Sequence, residues 1–150
     1  MWLPVLSKTL YFESLTGESK EYFDGNRWAD KDREFELSVP VGMYDDPENQ
    51  TQAPVYIDFT ENGHMAVCGT IVSGKSTFMQ TLVYGMVMKY TPEYINMYCL
   101  DFSSGLLRVF DNMPQVGGVL GENDTDNIGK LFVMLEKIMN DRKKVFGGGN

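Results

Sequence analysis

Apolar and polar residues follow two different rhythms along this chain. From Glu34 to Val41 apolar side chains fall at every second position (Phe35, Leu37, Val39, Val41), and Val55-Tyr56-Ile57-Asp58-Phe59 alternates again. That period belongs to half-buried strands. Asp45-Asp46-Pro47-Glu48-Asn49 is a turn, so an antiparallel hairpin is expected, with Glu61-Asn62-Gly63 turning the chain onward. From His64 the rhythm becomes strand–helix–strand. Met65-Ala66-Val67-Cys68 reads as a buried strand within 64–68, and Phe78 to Lys89 as part of a helix over about 75–90. Thr91-Pro92-Glu93 breaks that helix. Tyr94 to Leu100 is the next strand, ending on Asp101, and Leu106 to Asn112 is a short helix stopped near Pro114. Val116 to Leu120 is a third strand. From Asp126 to Phe146 the residues Ile128, Leu131, Phe132, Leu135, Ile138 and Met139 recur at helical spacing. Asp124 and Asp126 at its start and Arg142-Lys143-Lys144 at its end suit the helix dipole. Alternating strands and helices predict an α/β fold: a parallel sheet with right-handed crossovers, helices on both faces, and the hairpin at its edge.

The first part of the chain is less regular. An extended start (Trp2-Leu3-Pro4), a short strand at Leu10-Tyr11-Phe12, and polar turns at Thr16-Gly17 and Asp24-Gly25-Asn26 are expected there. At 150 residues there is room for one domain, divided into an N-terminal linker with edge strands (1–53) and a core (54–150). Charge follows the same division. Residues 1–60 carry 5 basic and 12 acidic side chains, and 61–150 carry 8 and 9, giving −7 and −1 of the total −8. Such acidity, with no Lys/Arg stripe, argues against binding nucleic acid. The longest apolar run, Phe78 to Met88, is interrupted by Gln80, Thr81 and Gly85 and reads as a buried helix rather than a bilayer span. The opening Met1-Trp2-Leu3-Pro4 lacks the basic and apolar regions of a signal peptide. Cys68 and Cys99 both fall in expected strands and read as reduced core thiols, and His64 as a structural or edge residue.

One stretch carries chemistry. Gly69-Thr70-Ile71-Val72-Ser73-Gly74-Lys75-Ser76-Thr77 fits G-x-x-x-x-G-K-[ST], the phosphate-binding P-loop, in the strand–loop–helix setting that the motif requires. Gly69 and Gly74 give the backbone freedom for N–H groups to converge on phosphate, and the helix start adds partial positive charge. Lys75 is placed to reach the β- and γ-phosphates of ATP, and the Ser76 hydroxyl to ligate Mg²⁺, with Thr77 capping and packing beside them. Hydrolysis also needs a carboxylate for the metal. Asp101, at the end of an apolar strand, is the catalytic candidate; it equally suits a cap on the turn into Ser103-Ser104-Gly105. No adjacent Asp-Glu pair follows any apolar strand, so holding nucleotide is better supported than consuming it, and ATPase activity stays open.

The order of several short segments resembles a known family. Trp2-Leu3-Pro4, Pro40-Val41-Gly42, Asp45-Asp46-Pro47, Gln50-Thr51-Gln52 and Gly63-His64 precede the P-loop; Tyr90-Thr91-Pro92-Glu93, Leu100-Asp101-Phe102, Met113-Pro114-Gln115-Val116-Gly117-Gly118-Val119 and Asp141-Arg142-Lys143 follow it. Together they resemble the FtsK/SpoIIIE family, and within it the tandem ATPase domains of the type VII secretion motors (the EssC/EccC group). The resemblance implies a RecA-like P-loop domain that binds ATP and Mg²⁺, one of several in a membrane-anchored chain at the cytoplasmic face. Its implied partners are neighbouring ATPase domains and secreted helical proteins, and it allows a homo-hexamer. It also implies a downstream domain of the array, truncated here before its main metal-binding acids, with Asp101 a second acid near the site. A DNA-translocase domain of the same superfamily, or a non-catalytic module recognising secreted substrates, are the alternatives. Two departures stand out: Val72 where active P-loops of the family usually carry glycine, and Gln115 where the family often has His. Valine tolerates φ > 0 poorly, so a degenerate domain is expected.

Overall fold

The computed structural model describes residues 3–16 and 36–147. In chain order its elements are α1 (Phe12–Thr16), β1 (Ser38–Asp46), β2 (Thr51–Asp58), α2 (Phe59–Asn62), α3 (Lys75–Lys89), β3 (Met97–Leu100), a 3-10 helix (Leu106–Phe110), β4 (Val116–Leu120) and α4 (Thr125–Gly147). The turn at Asp24-Gly25-Asn26, and Gly17 with the start of the Glu34–Val41 run, lie outside the described residues.

β1 and β2 pair antiparallel from Ser38 opposite Asp58 to Asp46 opposite Thr51, with the register shifting between Pro40 and Gly42. β3 and β4 pair in parallel. This is an α/β arrangement as expected, but the hairpin forms a sheet of its own rather than an edge of the parallel one. What joins them is α3, which contributes to two clusters, Val83 and Val87 to one and Met86 to the other. Val83 and Val87 pack with Cys99, Phe110, Val116 and Val119 beneath the parallel pair. Val39 of β1 packs with Tyr90 and Ile95, flanked by Phe12 and Met86.

The junction is also hydrogen-bonded. The Tyr90 hydroxyl, just past α3, accepts from Ser38 N at 2.8 Å and donates toward the Glu36 carbonyl. Gln115, fully buried, donates through Nε2 to the Val87 and Tyr90 carbonyls at 2.9 and 2.7 Å. Val87 lies in the last turn of α3, whose carbonyls have no acceptor role within the helix ladder.

Several expectations are corrected. Leu10-Tyr11-Phe12 is not a strand: Phe12 opens α1, where Ser14 N and Ser14 Oγ both bond the Tyr11 carbonyl. Phe12 and Leu15, three apart, turn inward there, while Tyr11 is exposed. The strand expected at 64–68 belongs to no ladder, and Met65 and Val67 are 40% and 37% exposed. A strand needs a hydrogen-bonded neighbour, and among the described residues none of the strands pairs with this segment. Cys68 is therefore exposed, whereas Cys99 is buried as expected and burial raises its thiol pKa.

Candidate phosphate-binding site

The P-loop leaves the unpaired 63–70 segment and enters α3 at Lys75. Gly74 stands at the helix N-cap with φ +91°, a conformation free of penalty for glycine, and offers no side-chain cap. The first N–H groups of α3 are thus left for another acceptor. Phe78 N bonds the Gly74 carbonyl at 2.8 Å and begins the helical ladder.

Lys75 curls back over the loop. Its Nζ donates to the Gly69 carbonyl at 2.7 Å and to the Thr70 carbonyl at 2.6 Å. Ser73 N bonds the Thr70 carbonyl at 3.3 Å. A methyl at Gly69 would lie 2.5 Å from Ser73 Oγ, so glycine there lets the two ends of the loop approach. Val72 has φ +60°: valine does not divert the loop from the left-handed conformation but carries it. Ile71 and Val72 are 92% and 98% exposed. Of the nine motif residues, Lys75 and Ser76 are half-buried and the other seven exposed. Gly69, Thr70, Ser73 and Lys75 are drawn into one closed turn, with Ser76 and Thr77 on the first turn of α3.

Asp101 lies one residue past β3, half-buried. Its carboxylate accepts from the backbone N–H groups of Ser103, Ser104 and Leu107 at 3.3, 3.1 and 3.1 Å. Burial alone would raise its pKa, but these backbone donors, Leu107 foremost, outweigh it and hold the group below its ordinary value. The capping role is thus directly visible.

Three contacts here have no signature in the motif. Gln80, on α3, donates through Nε2 to the Leu106 carbonyl at 2.9 Å and ties the P-loop helix to the 3-10 helix. Asp124 accepts from Gly121 N at 2.8 Å and faces Arg108 at 3.9 Å, closing the turn before α4. Asp111 accepts from Val119 N at 3.1 Å. Each pairs residues whose proximity the tertiary fold creates, apart from the local Asp124 turn.

A glycine-bounded loop tied by its own lysine at a helix start, beside a parallel strand pair, defines a P-loop NTPase fold. Comparison with known proteins agrees. The FtsK/SpoIIIE family pattern matches residues 20–148, and the chain belongs to that family. It is 32% identical over 124 residues to the ESX secretion system protein EccC of Thermomonospora curvata, covering 82% of this chain and 9% of that protein. It is 28% identical over 144 residues to the type VII secretion system protein EssC of Staphylococcus aureus (strain MRSA252), covering 96% and 9%. Among solved structures, the cytoplasmic domain of the T. curvata type VII secretion ATPase EccC superposes with a TM-score of 0.80 at 28% identity, over 98% of this chain and 17% of that one. T. curvata EccC (ATPases 2 and 3) in complex with a signal sequence peptide gives 0.72 at 27% identity, over 99% and 27%. The chain therefore spans about a tenth of the length of these two curated relatives.

Proposed function

We propose that this chain is an ATP-binding domain of a type VII protein-secretion motor that holds nucleotide more than it turns it over. The observation that supports this best is the lysine-tied loop at the uncapped start of α3. In this reading the loop N–H groups and the first turn of α3 surround the phosphates, Lys75 contacts the β- and γ-phosphates, and Ser76 ligates Mg²⁺. The residues fit such a ligand: the loop is already closed, and its helix terminus has no side-chain cap. Bound Mg²⁺ would neutralise phosphate charge. The low turnover is read from Asp101, whose carboxylate is engaged by loop donors.

Its relatives include structures of ATPases 2 and 3 of such motors, one with a signal sequence peptide. By likeness, this domain would sit beside other ATPase domains of a longer chain, engage secreted helical proteins, and work at the cytoplasmic face of the membrane, in a homo-hexamer if the motor closes into a ring. No helix among the described residues is long and apolar enough to cross a membrane, so an anchor would come from elsewhere in that chain. The net charge of −8 weighs against DNA as the cargo.

Titration with a fluorescent ATP analogue in Mg²⁺, followed by a phosphate-release assay, tests both halves. Saturable binding with negligible turnover is expected, and absence of binding would overturn the reading. Asp101→Ala should remove a cap and lower stability by about 1 kcal/mol in urea unfolding, without affecting nucleotide affinity. Robust wild-type turnover that disappears in Asp101→Ala would instead make Asp101 the metal-site acid.

A further inference from the structure

Gln80 lies on α3 one turn beyond Ser76, so the two share a face of the P-loop helix. It is half-buried, and its Nε2 donates to the Leu106 carbonyl at 2.9 Å. The same peptide unit has a second partner. Its N–H, that of Leu107, donates to Asp101 Oδ2 at 3.1 Å. The two carboxylate oxygens of Asp101 are therefore held from different places. Oδ1 accepts from Ser103 N and Ser104 N, two and three residues onward. Oδ2 faces Leu107, whose side chain packs against the cluster beneath the parallel pair. The Ser104 hydroxyl lies 3.4 and 3.5 Å from the two oxygens and favours neither.

We propose that Gln80 is a positioning residue for Asp101: acting through the Leu106–Leu107 peptide, the P-loop helix fixes the direction in which that carboxylate points. A trans peptide is planar, with its C=O and N–H opposed, so pinning the carbonyl aims the N–H. A hydrogen bond to the carbonyl also polarises the unit and strengthens what the N–H donates. With Oδ1 alone engaged, the carboxylate could turn about its terminal torsion, which is broad and soft; the Leu107 bond stops it. Ordering a long glutamine side chain costs entropy that one exposed hydrogen bond barely offsets, whereas a bond whose effect passes to a charged acceptor is stronger. Whichever task Asp101 performs, cap or metal-site acid, its orientation is set from the helix that carries Ser76. The positioning itself does not depend on the nucleotide reading; its consequence for the phosphate site does.

Amide hydrogen exchange on the ligand-free chain, read by NMR, tests this. Gln80→Met removes the donor and keeps a helix former. It should speed exchange of the Leu107 N–H by about 2- to 12-fold, while Ser103 and Ser104, bonded to the other oxygen, change less. The midpoint of the Asp101 carboxyl carbon titration should rise in the same variant, because weaker donors stabilise the carboxylate less. Gln80→Glu, whose side chain accepts rather than donates, should speed Leu107 likewise, and Gln80→Lys should restore its protection. In an Asp101→Ala background, Gln80→Met should no longer change Leu107 exchange, since the acceptor is gone. An unmoved Asp101 midpoint, or effects of the two substitutions that simply add, would overturn the proposal and leave Gln80 a tie between helices. Mg-ATP titration of the same samples separates the two claims. If wild type does not bind but Asp101 follows Gln80, the positioning stands and the nucleotide reading falls. If ATP binds and Asp101 ignores Gln80, the reverse holds.

Discussion

Lys75→Ala is expected to weaken Mg-ATP binding by about 10- to 150-fold, the equivalent of losing a hydrogen-bonded charge worth about 1.5–3 kcal/mol. The size of the effect follows from where the lysine sits. Its Nζ is held over the mouth of the loop by the Gly69 and Thr70 carbonyls, so little side-chain freedom remains to be lost when phosphate binds. Alanine removes the charge and the tie together, and leaves α3 intact because alanine favours helix. Titrating the fluorescent analogue into both proteins checks this, with far-ultraviolet circular dichroism as the folding control. Equal affinity would mean that phosphate is not bound at this loop. Ser76→Ala, which keeps the lysine, should lose affinity mainly when Mg²⁺ is present, so that chelating the metal narrows its difference from wild type.

The hairpin and the alternating core were legible because each rests on a local period. Val39 and Val41 two apart, and Leu131 with Ile128 and Leu135 on one helical stripe, carry their own instruction. The P-loop was legible because its glycines, lysine and serine are contiguous. Pairing is not local. Met65 to Cys68 has the composition of a strand, but nothing in those residues states which neighbour completes the ladder, and among the described residues none does. Leu10-Tyr11-Phe12 is too short for either period to show, and the inward pair Phe12 and Leu15 decides for helix. Gln115 gave no hint of its role, since the two carbonyls it caps lie 28 and 25 residues earlier. Asp101 was half legible. Its capping donors are two, three and six residues onward and could be anticipated from Ser103-Ser104-Gly105, whereas no local pattern decides whether the same carboxylate serves a metal. At Val72 the sequence raised the right question, and the backbone angle answers part of it: the loop keeps its shape and the valine bears the strain.

Gly85→Ala should destabilise the protein by about 1–2 kcal/mol even though alanine is the better helix former by about 1 kcal/mol. Gly85 is buried in the interior of α3. A methyl there would lie 2.2 Å from Val39 Cγ1 and 2.9 Å from Phe12 Cε2, far inside van der Waals contact. Val39 is fully buried in β1, and its β-branched side chain has few rotamers to escape into. The hairpin and α1 must therefore move off α3, and overpacking of this kind costs about 1–3 kcal/mol. Gly129 supplies the contrast: it lies inside α4, and a methyl there meets nothing within 4 Å. Gly129→Ala should gain most of the propensity difference and raise the melting temperature by about 1–4 °C, against a fall of about 2–8 °C for Gly85→Ala. Circular dichroism melts of the two variants measure both shifts. If Gly85→Ala melts as high as Gly129→Ala, then α3 does not press on β1 as closely as described. A Val39→Ala change made together with Gly85→Ala should recover part of the loss, because it removes the atom that the new methyl would strike, and the two losses should then be less than additive.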